Sequence, residues 1–253
     1  MFKHILYTAL LFVMAFVSHP VVAQSDLLDN AAAAYDSAQY QMSVDAYQQV
    51  IAQYGVSADL YYNLGNAYFK LKDFPHAILN YERCLLIDPS HADAQQNVEM
   101  ARMQIVDRVE SIEPLIFVQW SRNLRDTLSC DGWYYLSITF FLLFLVGCGL
   151  YFFGRHTVLR KGGFYGGILC VVLFLVAVNY ASQQRDLLLQ RSQAIVLTPS
   201  VVVRSSPAES GTQLFTIHEG LKVSVRSTLS GWSEIELSDG KVGWIPSDGL
   251  EII

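Results

Sequence analysis

The chain is short of charge. Asp, Glu, Lys and Arg make up 16% of its 253 residues, and two runs, Trp133 to Phe153 and Phe164 to Gln184, carry none. Basic residues are the scarcer sign, 17 against 23 acidic, and acidic residues outnumber basic ones on both sides of those runs, which removes the positive face that nucleic-acid phosphates need. Only four cysteines are present, spread singly over the chain instead of clustered, so a disulfide framework is not expected. The sequence has no phosphate-binding glycine loop, no Ser/His/Asp set, no paired acids on a recognisable scaffold and no Cys/His group with metal-ligand spacing. The expectation is a non-enzymatic protein with no cofactor and no metal.

What is there begins with the two uncharged runs. Each is long enough as a helix to cross about 30 Å of hydrocarbon at 1.5 Å per residue. Arg155, Arg160 and Lys161 lie between them, which predicts a membrane hairpin: spans at 133–153 and 164–184 and a cytoplasmic loop at 154–163. At the amino terminus, Lys3 and His4 precede the apolar run Ile5 to Val17, and Val21-Val22-Ala23 offers small residues before Gln24. This reads as a signal peptide over 1–23, which sends both soluble pieces to the extracytoplasmic side of the inner membrane. Gly162 with Gly166, Gly163 with Gly167, and Gly147, Gly149 and Gly154 suit close packing within the hairpin. Residues 111–132 form a juxtamembrane segment in which Leu115, Phe117, Trp120 and Leu124 alternate with Arg122 and Arg125, the pattern of an interfacial helix.

The soluble piece 24–110 has a period of 34 residues. It lays Ala31 on Gly65, Tyr40 on Phe74, Ser43 on Ala77, Tyr47 on Tyr81 and Val50 on Cys84, a spacing typical of paired helices. Tyr61, Leu64, Gly65, Tyr68, Ala77, Tyr81 and Pro89 make the second copy resemble the tetratricopeptide repeat. The first copy is weaker, with Asn30 and Ala34 in place of the usual leucine and tyrosine. A helix from His91 to about Val109 is expected either as a third half-repeat or as a polar cap on the stack. The resemblance implies that Asp59, Tyr62, Asn66, Phe69 and Lys70 face a groove for partner peptides. It also implies a faint likeness, in Asn66 and Lys70, to the clamps that hold terminal carboxylates.

From 193 to 253 the apolar residues alternate, with Gly220, Ser230-Gly231 and Asp239-Gly240 as turns, which predicts a small all-β barrel. Val203-Arg204-Ser205-Ser206-Pro207, Gly231-Trp232 and Asp239-Gly240-Lys241-Val242-Gly243-Trp244-Ile245-Pro246 make this piece similar to a bacterial SH3 domain. Alternation puts Ser233, Ile235 and Leu237 on the core face and Trp232, Glu234 and Glu236 on the other. The resemblance implies a ligand groove at Trp232, for protein or peptidoglycan, and a core position for Trp244.

The whole is therefore expected to be a multidomain membrane protein of α-helical repeats, a transmembrane hairpin and an SH3-like barrel. That order of modules resembles the BatE-type proteins of the Bacteroides aerotolerance group. This resemblance implies an envelope scaffold or assembly factor whose partners are membrane proteins with von Willebrand A domains and a MoxR-type ATPase. The alternative is a peptidoglycan-binding or envelope-stress sensor.

Overall fold

The computed structural model describes residues 21–109 and 115–253, so the signal peptide reading falls, but for its last three residues, outside the described part. Five helices form the first body: α1 (Val21–Asp36), α2 (Tyr40–Tyr54), α3 (Ala58–Lys70), α4 (Phe74–Ile87) and α5 (Ala92–Arg102). The 34-residue period reappears in the backbone. Ala38 and Lys72, 34 apart, both take the left-handed conformation at φ 58° and 63°. The hydrogen bonds that close the two turns also correspond, with the Gln39 amide donating to the Ala34 carbonyl and the Asp73 amide to that of Tyr68.

Local signals set the helix starts. The Ser57 hydroxyl accepts from the Leu60 amide, and the Asp73 carboxylate accepts from that of His76, with Pro75 in the first turn of α4. A Cβ added to Gly65 would lie 2.7 Å from two ring carbons of Tyr81, so the close approach of α3 and α4 requires glycine. In the weaker first copy Ser43, buried at the corresponding contact, donates to the Ala31 carbonyl at 2.9 Å and so leaves no orphaned hydroxyl. The capping helix is shorter than expected and ends at Arg102. The residues after it turn away to serve a different contact.

Two apolar helices long enough to cross a membrane follow, α7 (Cys130–Phe153) and α8 (Thr157–Gln190), preceded by the short α6 (Ile116–Arg125). Helix α8 outruns its apolar run at both ends, so Arg160 and Lys161 lie in its first turns and not in a loop. Gly147, Gly163 and Gly167 form the hairpin contact: a Cβ on Gly163 would come within 2.6 Å of the Gly147 carbonyl oxygen. Gly149, Gly162 and Gly166 meet nothing within 4 Å, so only one of the two overlapping glycine spacings packs the hairpin.

The carboxyl-terminal body is a seven-stranded antiparallel sheet. Its strands are β1 (Gln193–Val196), β2 (Ser200–Arg204), β3 (Gln213–His218), β4 (Lys222–Leu229), β5 (Trp232–Glu236), β6 (Val242–Pro246) and β7 (Leu250–Ile252), in the order β3-β2-β6-β5-β4-β1-β7. Register shifts at Val203/Arg204 and Val225/Ser227 bend it around a core that includes Val196, Val203, Ile217, Val223, Ile235 and Ile245. Ser230 and Gly231 both have positive φ, as the two-residue turn between β4 and β5 requires.

The two soluble bodies are packed together. Ile195 of β1 and Ile253 belong to one buried cluster with Ala77, Ile78, Leu79 and Tyr81 of α4 and with Val98 and Ala101 of α5. Glu82, only 6% exposed, bonds to Arg102 within the repeats and to Lys222 of β4 at 2.7 Å. Arg83 donates to Glu251 and to the Ile252 carbonyl. Asp107, beyond the end of α5, pairs with His218 at 2.9 Å, and Ile105 packs on Gly220. The sheet therefore sits chiefly against α4, α5 and the segment after α5, with Tyr62, Tyr68 and Phe69 of α3 packed at the margin of the shared cluster.

Candidate functional site

On α3 the expected groove residues meet different fates. Asp59 is exposed, with its carboxylate 3.8 Å from His91 Nε2. His91 Nδ1 accepts from the Ala94 amide, which leaves the hydrogen of a neutral ring on Nε2, facing Asp59. The Tyr62 ring lies tilted against that of His91, centroids 4.7 Å apart, and its hydroxyl accepts from Asn97 at 3.5 Å. The Asn66 side-chain oxygen accepts both the Tyr81 hydroxyl, at 2.7 Å, and the Asn97 amide, at 2.9 Å. Phe69 is half-buried, edge-on to Phe74. Lys70 is exposed in the last turn of α3, where a cation complements the helix dipole.

Tyr62, Asn66 and Asn97 thus make one polar floor between α3 and α5. The Asn66 oxygen is taken up by two bonds within the protein, which turns its amide nitrogen to the open side of this floor, and no second lysine accompanies Lys70 on α3. The residue that sequence reasoning missed is Asn97. Its signal was the third helix of the stack, whose inner face continues that of α3.

Burial shapes the titratable groups nearby. Desolvation raises the Tyr81 hydroxyl well above its ordinary value and pushes the Cys84 thiol up to about 12. The His76 ring is raised, chiefly by its hydrogen bond to Asp73 at 2.8 Å. For Asp73, partial burial works upward, but the bonds from His76 and its charge outweigh it and leave the carboxyl lowered.

The second face lies on the sheet. Trp232 is half-buried opposite Pro246, while Glu234, in the next outward position of β5, lies opposite Trp244. Leu229 faces Trp232 from β4, exposed, and the Ser227 hydroxyl donates to Glu234 at 3.0 Å. Ser233, Ile235 and Leu237 are buried, as their alternation requires. Trp244 departs from the expected core position: in β6 Gly243 and Ile245 point inward, which turns Val242, Trp244 and Pro246 outward beside Trp232. The face therefore has two tryptophans diagonal to one another, a carboxylate and a proline.

Two families match within this geometry. Residues 58–91 match the tetratricopeptide repeat, and residues 199–251 match the bacterial SH3 domain. Both are interaction modules, and no enzymatic family is indicated. No curated protein matches. Among solved structures, the Arabidopsis OM64 TPR domain is 15% identical and covers 65% of this chain and 95% of its own, with a TM-score of 0.31. MamA, also 15% identical, covers 64% and 81%, with a TM-score of 0.30.

Proposed function

We propose that the protein is a non-catalytic envelope scaffold. In this reading the hairpin crosses the inner membrane, and the repeats and SH3 module stand together on the periplasmic side and bind protein partners. The partners are the von Willebrand A-domain membrane proteins of an aerotolerance system. The observation that carries the reading is the shared cluster of Ile195 and Ile253 with Ala77, Ile78 and Tyr81. In this reading it holds the two binding faces in fixed relation, as a scaffold needs, and it agrees with both modules lying on one side of the bilayer. The shortage of charge in α7 and α8 and the leader-like amino terminus support the placement.

The outward pair of Trp232 and Trp244 favours a second reading, in which the sheet face stacks on the sugars of peptidoglycan. A pull-down from detergent-solubilised membranes separates the two: integral A-domain proteins are expected for the scaffold, and retained muropeptides for the wall reader. Trp232→Ala in the full chain should weaken whichever binding is seen by roughly thirtyfold, about 2 kcal/mol for an aromatic anchor, and should leave the fold intact. An unfolded variant, or a folded one that binds normally, would refute the groove. For the topology, Ser90→Cys and Ser210→Cys should both react with an impermeant thiol reagent in spheroplasts, and reaction at only one would overturn the hairpin.

A further inference from the structure

The strongest unexplained surface is α6. None of its residues is buried. Ile116, Phe117, Trp120 and Leu124 are 56%, 76%, 62% and 50% exposed, and at 100° per residue they fall on one side, with Gln119, Arg122 and Arg125 on the other. A helix with that much bare apolar surface normally has something covering it.

The joint at its carboxyl end says what. The Trp133 indole donates to the Arg125 carbonyl at 2.7 Å, and the Gln184 amide donates to the carbonyls of Arg125 and Leu128 at 2.9 and 2.6 Å. Both side chains are at least 95% buried. The Ser121 hydroxyl lies 3.4 Å from that of Tyr180. One membrane helix from each side of the hairpin therefore grips the end of α6. If Phe153 marks one edge of the hydrocarbon, twenty residues of α7 put Trp133 about 30 Å away, at the other edge. The grip holds α6 at that depth, where an indole and arginines opposite an apolar face are suited to headgroups and acyl chains.

We infer that α6 is seated in the lipid of the leaflet nearest the soluble bodies, with Phe117, Trp120 and Leu124 turned into the bilayer and with Gln184 and Trp133 as positioning residues for it. The inference rests on the reading that α7 and α8 span the membrane. The same grip ties the soluble bodies to the bilayer surface, because α6 precedes α7 and Gln184 lies two turns before the end of α8.

The test uses the full chain, with its native cysteines replaced, in vesicles of phosphatidylethanolamine and phosphatidylglycerol. Single nitroxide labels are placed through Phe117→Cys, Trp120→Cys, Leu124→Cys, Gln119→Cys, Arg122→Cys and, at mid-span, Leu142→Cys, and relaxation by oxygen is compared with that by a water-soluble nickel chelate. The expected result is a lipid signature, oxygen high and nickel low, at Phe117, Trp120, Leu124 and Leu142, with nickel severalfold higher at Gln119 and Arg122. High nickel at the three apolar positions would place them in water, and exclusion of both reagents would place a protein surface or a second copy over them. Either result overturns the inference while Leu142 remains in lipid. A Leu142 label in water would overturn the membrane reading and the inference with it. Gln184→Ala should raise nickel access at Phe117 without moving Leu142, and an unchanged Phe117 label would reject the positioning role.

Discussion

At the scale of single residues, Gly65 and Tyr81 set the tightest contact in the repeats. Gly65→Leu must push the Tyr81 ring out of its place, and overpacking of this kind costs about 1–3 kcal/mol or more. The expected outcome is a lower melting temperature and lost helicity in the full chain. The damage should reach the sheet, because Tyr81 shares its cluster with Ile195 and Ile253. An unchanged melting curve would contradict the helix pairing. Cys84 is the opposite case, a fully buried thiol whose value of about 12 leaves almost no thiolate at neutral pH. It should resist maleimide in the native protein and react only after denaturation, as followed by mass spectrometry of the Cys84 peptide.

His76 and Asp73 make a pH-dependent bond at the start of α4. A raised histidine stabilises the fold fully below its unfolded value, near 6.5, and loses that contribution as pH climbs through the raised value. A lowered aspartate contributes fully above its unfolded value, near 3.9, and loses this as pH falls through the lowered one. The pair therefore works best between those two values. The melting temperature lost in His76→Gln should be larger at about pH 5.5 than at about pH 8.5. The His76 ring also stacks on Tyr68, centroids 5.0 Å apart, and a loss that does not vary with pH would assign His76 to that stacking alone.

At the scale of elements, Ala38 and Lys72 turn the chain inside each repeat with positive φ, a conformation that costs an L-residue roughly 1 kcal/mol or more relative to glycine. Lys72→Gly should consequently stabilise the repeats by about 1 kcal/mol, and thermal denaturation would show no gain if the turn were otherwise built. This turn geometry could not be read from the residues, because neither alanine nor lysine signals a left-handed turn; only the 34-residue period linked the positions. The helices themselves were legible, since small and aromatic residues recur where they cross. The strand faces of β5 were legible too, because alternation alone decides which side Ile235 takes. Trp244 was not. Its placement depends on Gly243 and Ile245 taking the inner side, and a large aromatic in a glycine-tryptophan string reads as core until the register is known.

At the scale of the molecule, the contact between the repeats and the SH3 module was not legible in the residues, because it joins apolar and charged side chains about a hundred or more positions apart that read in isolation as ordinary core and surface. Glu82 sits at its centre, nearly buried between Arg102 and Lys222. Removing one member of a buried ionic group costs up to about 3–5 kcal/mol, and less here because both cations are partly exposed. Glu82→Ala should loosen the docking, broadening the distance distribution between spin labels at Ser90→Cys and Ser210→Cys while each module keeps its secondary structure. A narrow, unchanged distribution would mean that the apolar cluster suffices.

The docking also closes a ring. The chain leaves the repeats through α6 and α7, returns through α8, and reaches β1 three residues after α8 ends, where Ile195 packs back into the repeats. Mechanically, such a ring has two legs in place of one tether. A pull on the polar floor between α3 and α5, or on the tryptophan face of the sheet, is divided between α7 and α8, and neither helix can turn about its axis without dragging the other.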